Sequence, residues 1–213
     1  MNKEEKMSEK KFKLSKKTGF VFLAVVLFLI GAGLAYYRIS PKIGKKSPVK
    51  EVALSECQTS ANAQKNTEAE ECYKSYLDKN PADLDAKAGL AAVESSLKKY
   101  SESSKLLQEV TAGRPNESYS LNSLANSLRD QGKTADAEQA YVKAIAAGET
   151  DSVANLVTLY NIDGSFDKSI ALLNSSLAKT PADKTLLQLL ASTYSKKGDS
   201  AMAEKTLKKM NSN

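Results

Sequence analysis

The sequence predicts an all-α protein: a solenoid of about five helix–turn–helix repeats, preceded by one transmembrane helix. Three observations carry that expectation. Pro81, Pro115 and Pro181 are separated by 34 and then 66 residues, and the second gap is two periods with Glu149 where the missing proline would fall. The segments starting near residues 84, 118, 150 and 184 align with one another without internal gaps. Gly19 to Tyr37 gives nineteen residues without a charge. A period near 34 means stacked helical hairpins, because a unit of that size cannot bury its own apolar face.

Residues 1–17 form a basic tail. Residues 1–50 hold twelve Lys and Arg against three acids, and the remaining 163 residues hold nineteen against twenty-two. The basic character of the chain therefore belongs to its first segment, and the repeat region is mildly acidic. A nucleic-acid binder would carry its positive stripe on the folded domain, so nucleic acid is not an expected partner.

Residues 18–37 form the expected membrane span. Nineteen helical residues at about 1.5 Å each reach roughly 28 Å, the thickness of a hydrocarbon core. Tyr36 and Tyr37 stand at one edge, with Lys16, Lys17 and Arg38 flanking the apolar run. The rival is a cleaved leader, for which Gly33 and Ala35 have the right size and spacing. The run exceeds the usual core of about 7–15 residues in such leaders, so a retained anchor is the expectation. Seven lysines precede the span and five basic residues follow it, so the charge bias on orientation is slight. The expected topology is a single pass with a cytoplasmic N-terminus and an extracytoplasmic repeat domain. Residues 38–50, rich in Pro, Gly and Lys, read as a linker.

Residues 51–213 are the expected repeat domain, with repeats at about 50–83, 84–117, 118–149, 150–183 and 184–213. Each first helix carries an apolar pair: Leu90-Ala91, Leu124-Ala125, Leu156-Val157 and Leu190-Ala191. Lys98, Gly132, Gly164 and Gly198 follow at the turn between helices, where glycine suits a left-handed helix terminus. The second helix then offers a small residue (Ser103, Ala137, Ser169, Ala203) and, one turn on, a larger one (Leu107, Tyr141, Leu173, Leu207). Small side chains let two backbones approach, and the bulky ones fill the groove beside them. Val110, Ala144, Ser176 and Met210 follow three residues later.

This pattern resembles the tetratricopeptide repeat, strongly over residues 84–213 and through Ala69, Tyr73, Tyr76 and Pro81 over residues 50–83. The large aromatic expected near the start of the first helix is absent throughout. The resemblance implies protein or peptide partners held in a concave groove lined by the first helices. Carried over to this chain, the groove positions are Tyr119, Asn122, Asn126, Arg129, Asn155, Thr158 and Asn161. Asparagine presents a donor and an acceptor, which suits the main chain of an extended peptide; a solvated helix face is the plain alternative. The clamp for paired carboxylates found in some relatives is not expected, because Asn122, Thr185 and Leu189 stand where it needs cations. The resemblance also places Cys57 on the first helix of the first repeat, facing Cys72 on the second. A disulfide between them and a pair of small core thiols are both open, and an exported domain favours the bridge.

Histidine is absent, two cysteines cannot build a four-thiolate zinc site, and no glycine-rich phosphate cradle appears. No enzyme, cofactor or metal is expected. The functional expectation is a membrane-anchored scaffold that binds partner proteins or peptides, in cell-envelope assembly, with self-association through the terminal repeat in view. Two alternatives stand beside it: a cytosol-facing receptor or adaptor for client proteins, and a non-catalytic subunit of an envelope enzyme.

Overall fold

A computed structural model describes residues 52–212. These form ten helices: α1 (Leu54–Asn62), α2 (Asn66–Leu77), α3 (Leu84–Ser96), α4 (Tyr100–Gly113), α5 (Ser118–Asp130), α6 (Thr134–Ala146), α7 (Asp151–Ile162), α8 (Phe166–Lys179), α9 (Lys184–Lys197) and α10 (Ser200–Ser212). The basic tail, the expected span and the linker lie outside the described residues. Among those described, no helix is long and apolar enough to cross a membrane.

Five hairpins in series account for the ten helices. Within each hairpin the chain reverses through one residue of positive φ: Gln64, Lys98, Gly132, Gly164 and Gly198, between 57° and 88°. The expected small residues sit where the two helices of a hairpin touch. Ser103, Ala137 and Ser169 are fully buried, and Ala69 serves the same purpose in the first hairpin. Leu107, Tyr141 and Leu173 are buried one turn further on. The last repeat departs from the expected pattern. Leu207 is 41% exposed, and Thr206 is the residue turned inward. The reason is packing: among the described residues α10 has contacts with α9 alone, which leaves the flank on which Leu207 lies uncovered.

Three of the four connections between hairpins end a helix in one of two ways. After α4 and α8 the chain leaves the helical region at Arg114 and Thr180, with ψ of 72° at each, and proline follows both. After α6, where proline is missing, Gly148 takes a φ of 99° and its N–H donates to the Ile145 carbonyl. Glycine does there what proline does elsewhere.

Successive first helices touch one another: α1 with α3, α3 with α5, α5 with α7, and α7 with α9. No two successive second helices do so among the described residues. Helices that stay close on one side and splay on the other curve the stack, which puts the first helices on its concave face. Three apolar clusters run along the stack. One joins Cys57, Ala69, Tyr73 and Leu90, a central one gathers Leu107, Leu124, Tyr141 and Leu156, and a third holds Val157, Leu173, Leu187 and Leu190. Each spans a boundary between hairpins, as units that are unstable alone require.

Candidate protein-interaction surface

The concave face is assembled from positions one turn apart on α3, α5, α7 and α9. On α5, Tyr119 is 67% exposed, the largest apolar body left open on this face. Between α3 and α5 lies a groove of about 250 Å³, lined by Ala88, Ala92, Ser95, Ser96, Tyr119 and Ser123 among others. Apart from Leu107, Tyr119 and Asn126 the wall is made of alanine and serine side chains, and it carries no charge. Short side chains open the groove because neighbouring first helices sit close while little fills the space between them.

Of the seven groove residues expected from the sequence, Tyr119 and Asn126 line this groove, and five, Asn126 among them, bond to other side chains of the protein. Asn122 is buried, and its Oδ1 accepts from Ser152 Oγ at 2.8 Å and from Asn155 Nδ2 at 3.1 Å. Asn161 repeats the arrangement one boundary later. It donates to Thr193 Oγ1 at 3.1 Å and accepts from Ser169 Oγ at 2.8 Å. Asn126 accepts from the Tyr141 hydroxyl at 2.5 Å, and Arg129 Nη1 donates to the same hydroxyl at 3.2 Å. These side chains bond one repeat to the next, or the first helix to the second. Burial pushes the Tyr141 hydroxyl up to about 12, so it is neutral and donates at any physiological pH.

Tyr119 remains open, and so does Thr158, whose hydroxyl bonds only its own helix at the Ala154 carbonyl. What sequence reasoning missed was the partner of each asparagine. Ser152 and Thr193 sit 30 and 32 residues downstream of Asn122 and Asn161, close to one repeat period. A search for polar residues one period apart would have found them.

At the first hairpin Cys57 and Cys72 are joined by a disulfide, with Cα atoms 5.2 Å apart. Beside it, the Glu70 carboxylate is paired with Lys74 and Lys99, and Lys99 Nζ lies 2.6 Å from Oε2. These ammonium groups hold the Glu70 carboxyl below the usual range. Glu94 on α3 is 3% exposed, and its Oε2 has no hydrogen-bond partner. Burial pushes that carboxyl up.

A second cavity, of about 390 Å³, opens at the edge of the concave face between α7 and α9. Its lining has an apolar part, Ile145, Val153, Ala154, Leu186 and Leu189, called its floor below, an acidic part, Glu149, Asp151 and Asp183, called its rim, and Ser176, Lys179 and Thr180 from around the end of α8. It lies where the third repeat is short. α6 runs five residues beyond Tyr141, whereas α4 and α8 run six beyond Leu107 and Leu173.

A family model for the tetratricopeptide repeat matches residues 118–150, which are α5, α6 and the turn after them. No curated protein matches the chain in sequence. Solved structures match it in shape. A crystal structure of MamA superposes with a TM-score of 0.65 at 18% identity, covering 73% of this chain and 92% of that one. MamA from Desulfovibrio magneticus RS-1 gives 0.63 at 17% identity, covering 74% and 90%. YrrB, described as a TPR protein with an unusual peptide-binding site, gives 0.58 at 15%, covering 72% and 80%. At such identities the likeness is one of fold: the described residues make a solenoid of tetratricopeptide type.

Proposed function

We propose that this protein is a membrane-anchored scaffold that binds partner proteins or peptides on its concave first-helix face, in assembly of the cell envelope. The observation that carries the reading is the open groove between α3 and α5, with Tyr119 standing uncovered at its rim. The neutral lining suits main-chain amides and small side chains of an extended segment. Anchoring is supported by the uncharged run from Gly19 to Tyr37. The extracytoplasmic placement draws support from the Cys57–Cys72 bridge, since disulfides persist in oxidising compartments. The same bridge disfavours the cytosol-facing adaptor. Self-association through the last repeat is part of the proposal, with Leu207 as the residue a second copy would cover.

A photo-crosslinking side chain at position 119 of the full chain, introduced in intact cells, tests the binding face. Discrete crosslinked partners are expected, and they should disappear when the probe is moved to Val142, which is exposed on a second helix. Equal crosslinking from both positions would remove the concave assignment. Protease added to intact cells should digest residues 52–212 if the domain is outside.

A further inference from the structure

The cavity between α7 and α9 has an internal counterpart 66 residues upstream, at the spacing that relates Pro115 to Pro181. Asp83, at the end of the first repeat, and Asp85 and Glu117 in the second correspond to Glu149, at the end of the third, and Asp151 and Asp183 in the fourth. All six are acidic. In the second repeat one cation answers the three carboxylates. Arg114 Nη1 lies 2.6 Å from Asp85 Oδ1 and 3.6 Å from Glu117 Oε1, and the charges of Asp85, Glu117 and Asp83 keep it firmly protonated. The residue corresponding to Arg114 in the fourth repeat is Thr180.

Glu149, Asp151 and Asp183 accordingly lack the cation that Arg114 supplies to their counterparts. Among the described residues none of the three has an ion pair. Glu149 accepts a long bond from Ser118 Oγ at 3.4 Å, and Asp183 caps α9 by accepting from Leu186 N–H at 3.0 Å. Asp151 is exposed and has no side-chain partner. Lys179 is the one basic residue lining the cavity, and it forms no ion pair among the described residues. Where a guanidinium sits in one repeat, the other has open space of about 390 Å³ over an apolar floor.

We propose that this cavity docks a segment of a partner protein that buries one apolar side chain against Leu186 and Leu189 and presents an arginine to Glu149, Asp151 and Asp183. Charge complementarity selects the cation: three carboxylates against one ammonium leave the rim negative, and a planar fork can reach more than one carboxylate. Floor and rim together ask for neighbouring apolar and basic side chains on one short segment. The inference rests on the protein-binding reading above, and adds an anchoring subsite at the edge of the concave face.

The test uses the full chain and a fluorescein-labelled peptide carrying adjacent leucine and arginine in a glycine–serine background, followed by anisotropy. Binding is expected, and replacing the peptide's arginine by glutamine should weaken it about tenfold or more. Thr180→Arg supplies the missing cation in cis and should weaken binding to a similar degree. Asp151→Asn with Glu149→Gln, at positions outside the core around the start of α7, should do the same and keeps the test open if Thr180→Arg folds poorly. Equal binding by the wild type and the Asp151→Asn, Glu149→Gln variant overturns the proposal, as does no binding at millimolar peptide. If Tyr119→Ala weakens the peptide and the acidic variant does not, the subsite falls while the concave-groove function stands.

Discussion

Gly89 lies in the middle of α3, where alanine would ordinarily strengthen a helix by about 1 kcal/mol. Here a Cβ would come within 2.5 Å of the Tyr73 ring. Tyr73 is 3% exposed and packed into the first apolar cluster, so its ring could move aside only by disturbing that packing. Gly89→Ala should therefore destabilise the protein, by about 1–3 kcal/mol, measured by urea denaturation; a gain in stability would show that Tyr73 can move. Glu94 gives a second prediction at this scale. Its folded carboxyl holds a proton more tightly than the unfolded one, so it costs nothing below the unfolded value of 4.5 and destabilises as pH rises through the raised value. The groups acting on it are Glu70 and Lys74 on α2 and Lys99 and Glu102 around the start of α4. Glu70 has the opposite sign, since its ion pairs stabilise above 4.5 and are lost as pH falls through its lowered value. Glu94→Gln should raise Tm near neutral pH and flatten the decline above pH 4.5, leaving the acid limb set by Glu70 in place. Tyr141→Phe strips the Asn126 Oδ1 of its donor and should cost about 1–3 kcal/mol.

At the scale of elements, the five reversals inside hairpins share one backbone solution but not one residue. Three use glycine, while Gln64 and Lys98 hold φ near 60° with a side chain attached. The left-handed region costs a non-glycine residue about 1–2 kcal/mol. Lys98→Gly should thus stabilise the second hairpin by up to about 1 kcal/mol, after the extra freedom of glycine in the unfolded chain is subtracted. Differential scanning calorimetry reads the shift, and an unchanged or lower Tm would mean that Lys98 contributes contacts worth more than its strain. The first hairpin is held differently. The Cys57–Cys72 bridge closes a loop with a sequence separation of 15, for which chain entropy gives about 3 kcal/mol. Reduction should lower stability by that order, and exchange of α1 and α2 amides should accelerate most.

For the molecule as a whole, the hairpin architecture was legible because apolar and small residues recur with the repeat and nothing else competes for those positions. Leu90-Ala91 and its counterparts are each nearly or fully buried where the period puts them. Leu207 shows where the pattern stops being informative: the letter fits, but burial needs a neighbour on both sides, and α10 has one. The groove was legible only as a face. Tyr119 and Thr158 are open on it, yet Asn122, Asn126 and Asn161 are spent on bonds to other helices. A list of polar residues on a helix surface does not say which of them already have partners, because that depends on side chains a whole period away. The cavity beside Thr180 escaped notice for a related reason, since it is defined by a cation that one repeat has and another lacks.

Contacts confined to adjacent hairpins also give the molecule a direction. One end is covalently locked between α1 and α2, whereas α10 leans on a single neighbour. Melting should then travel like a zip, opening at α10 and advancing toward the locked end, with α9 released before α5 is disturbed. Among the described residues, a mechanical or thermal load would be shed from α10 first, leaving the remaining coils wound.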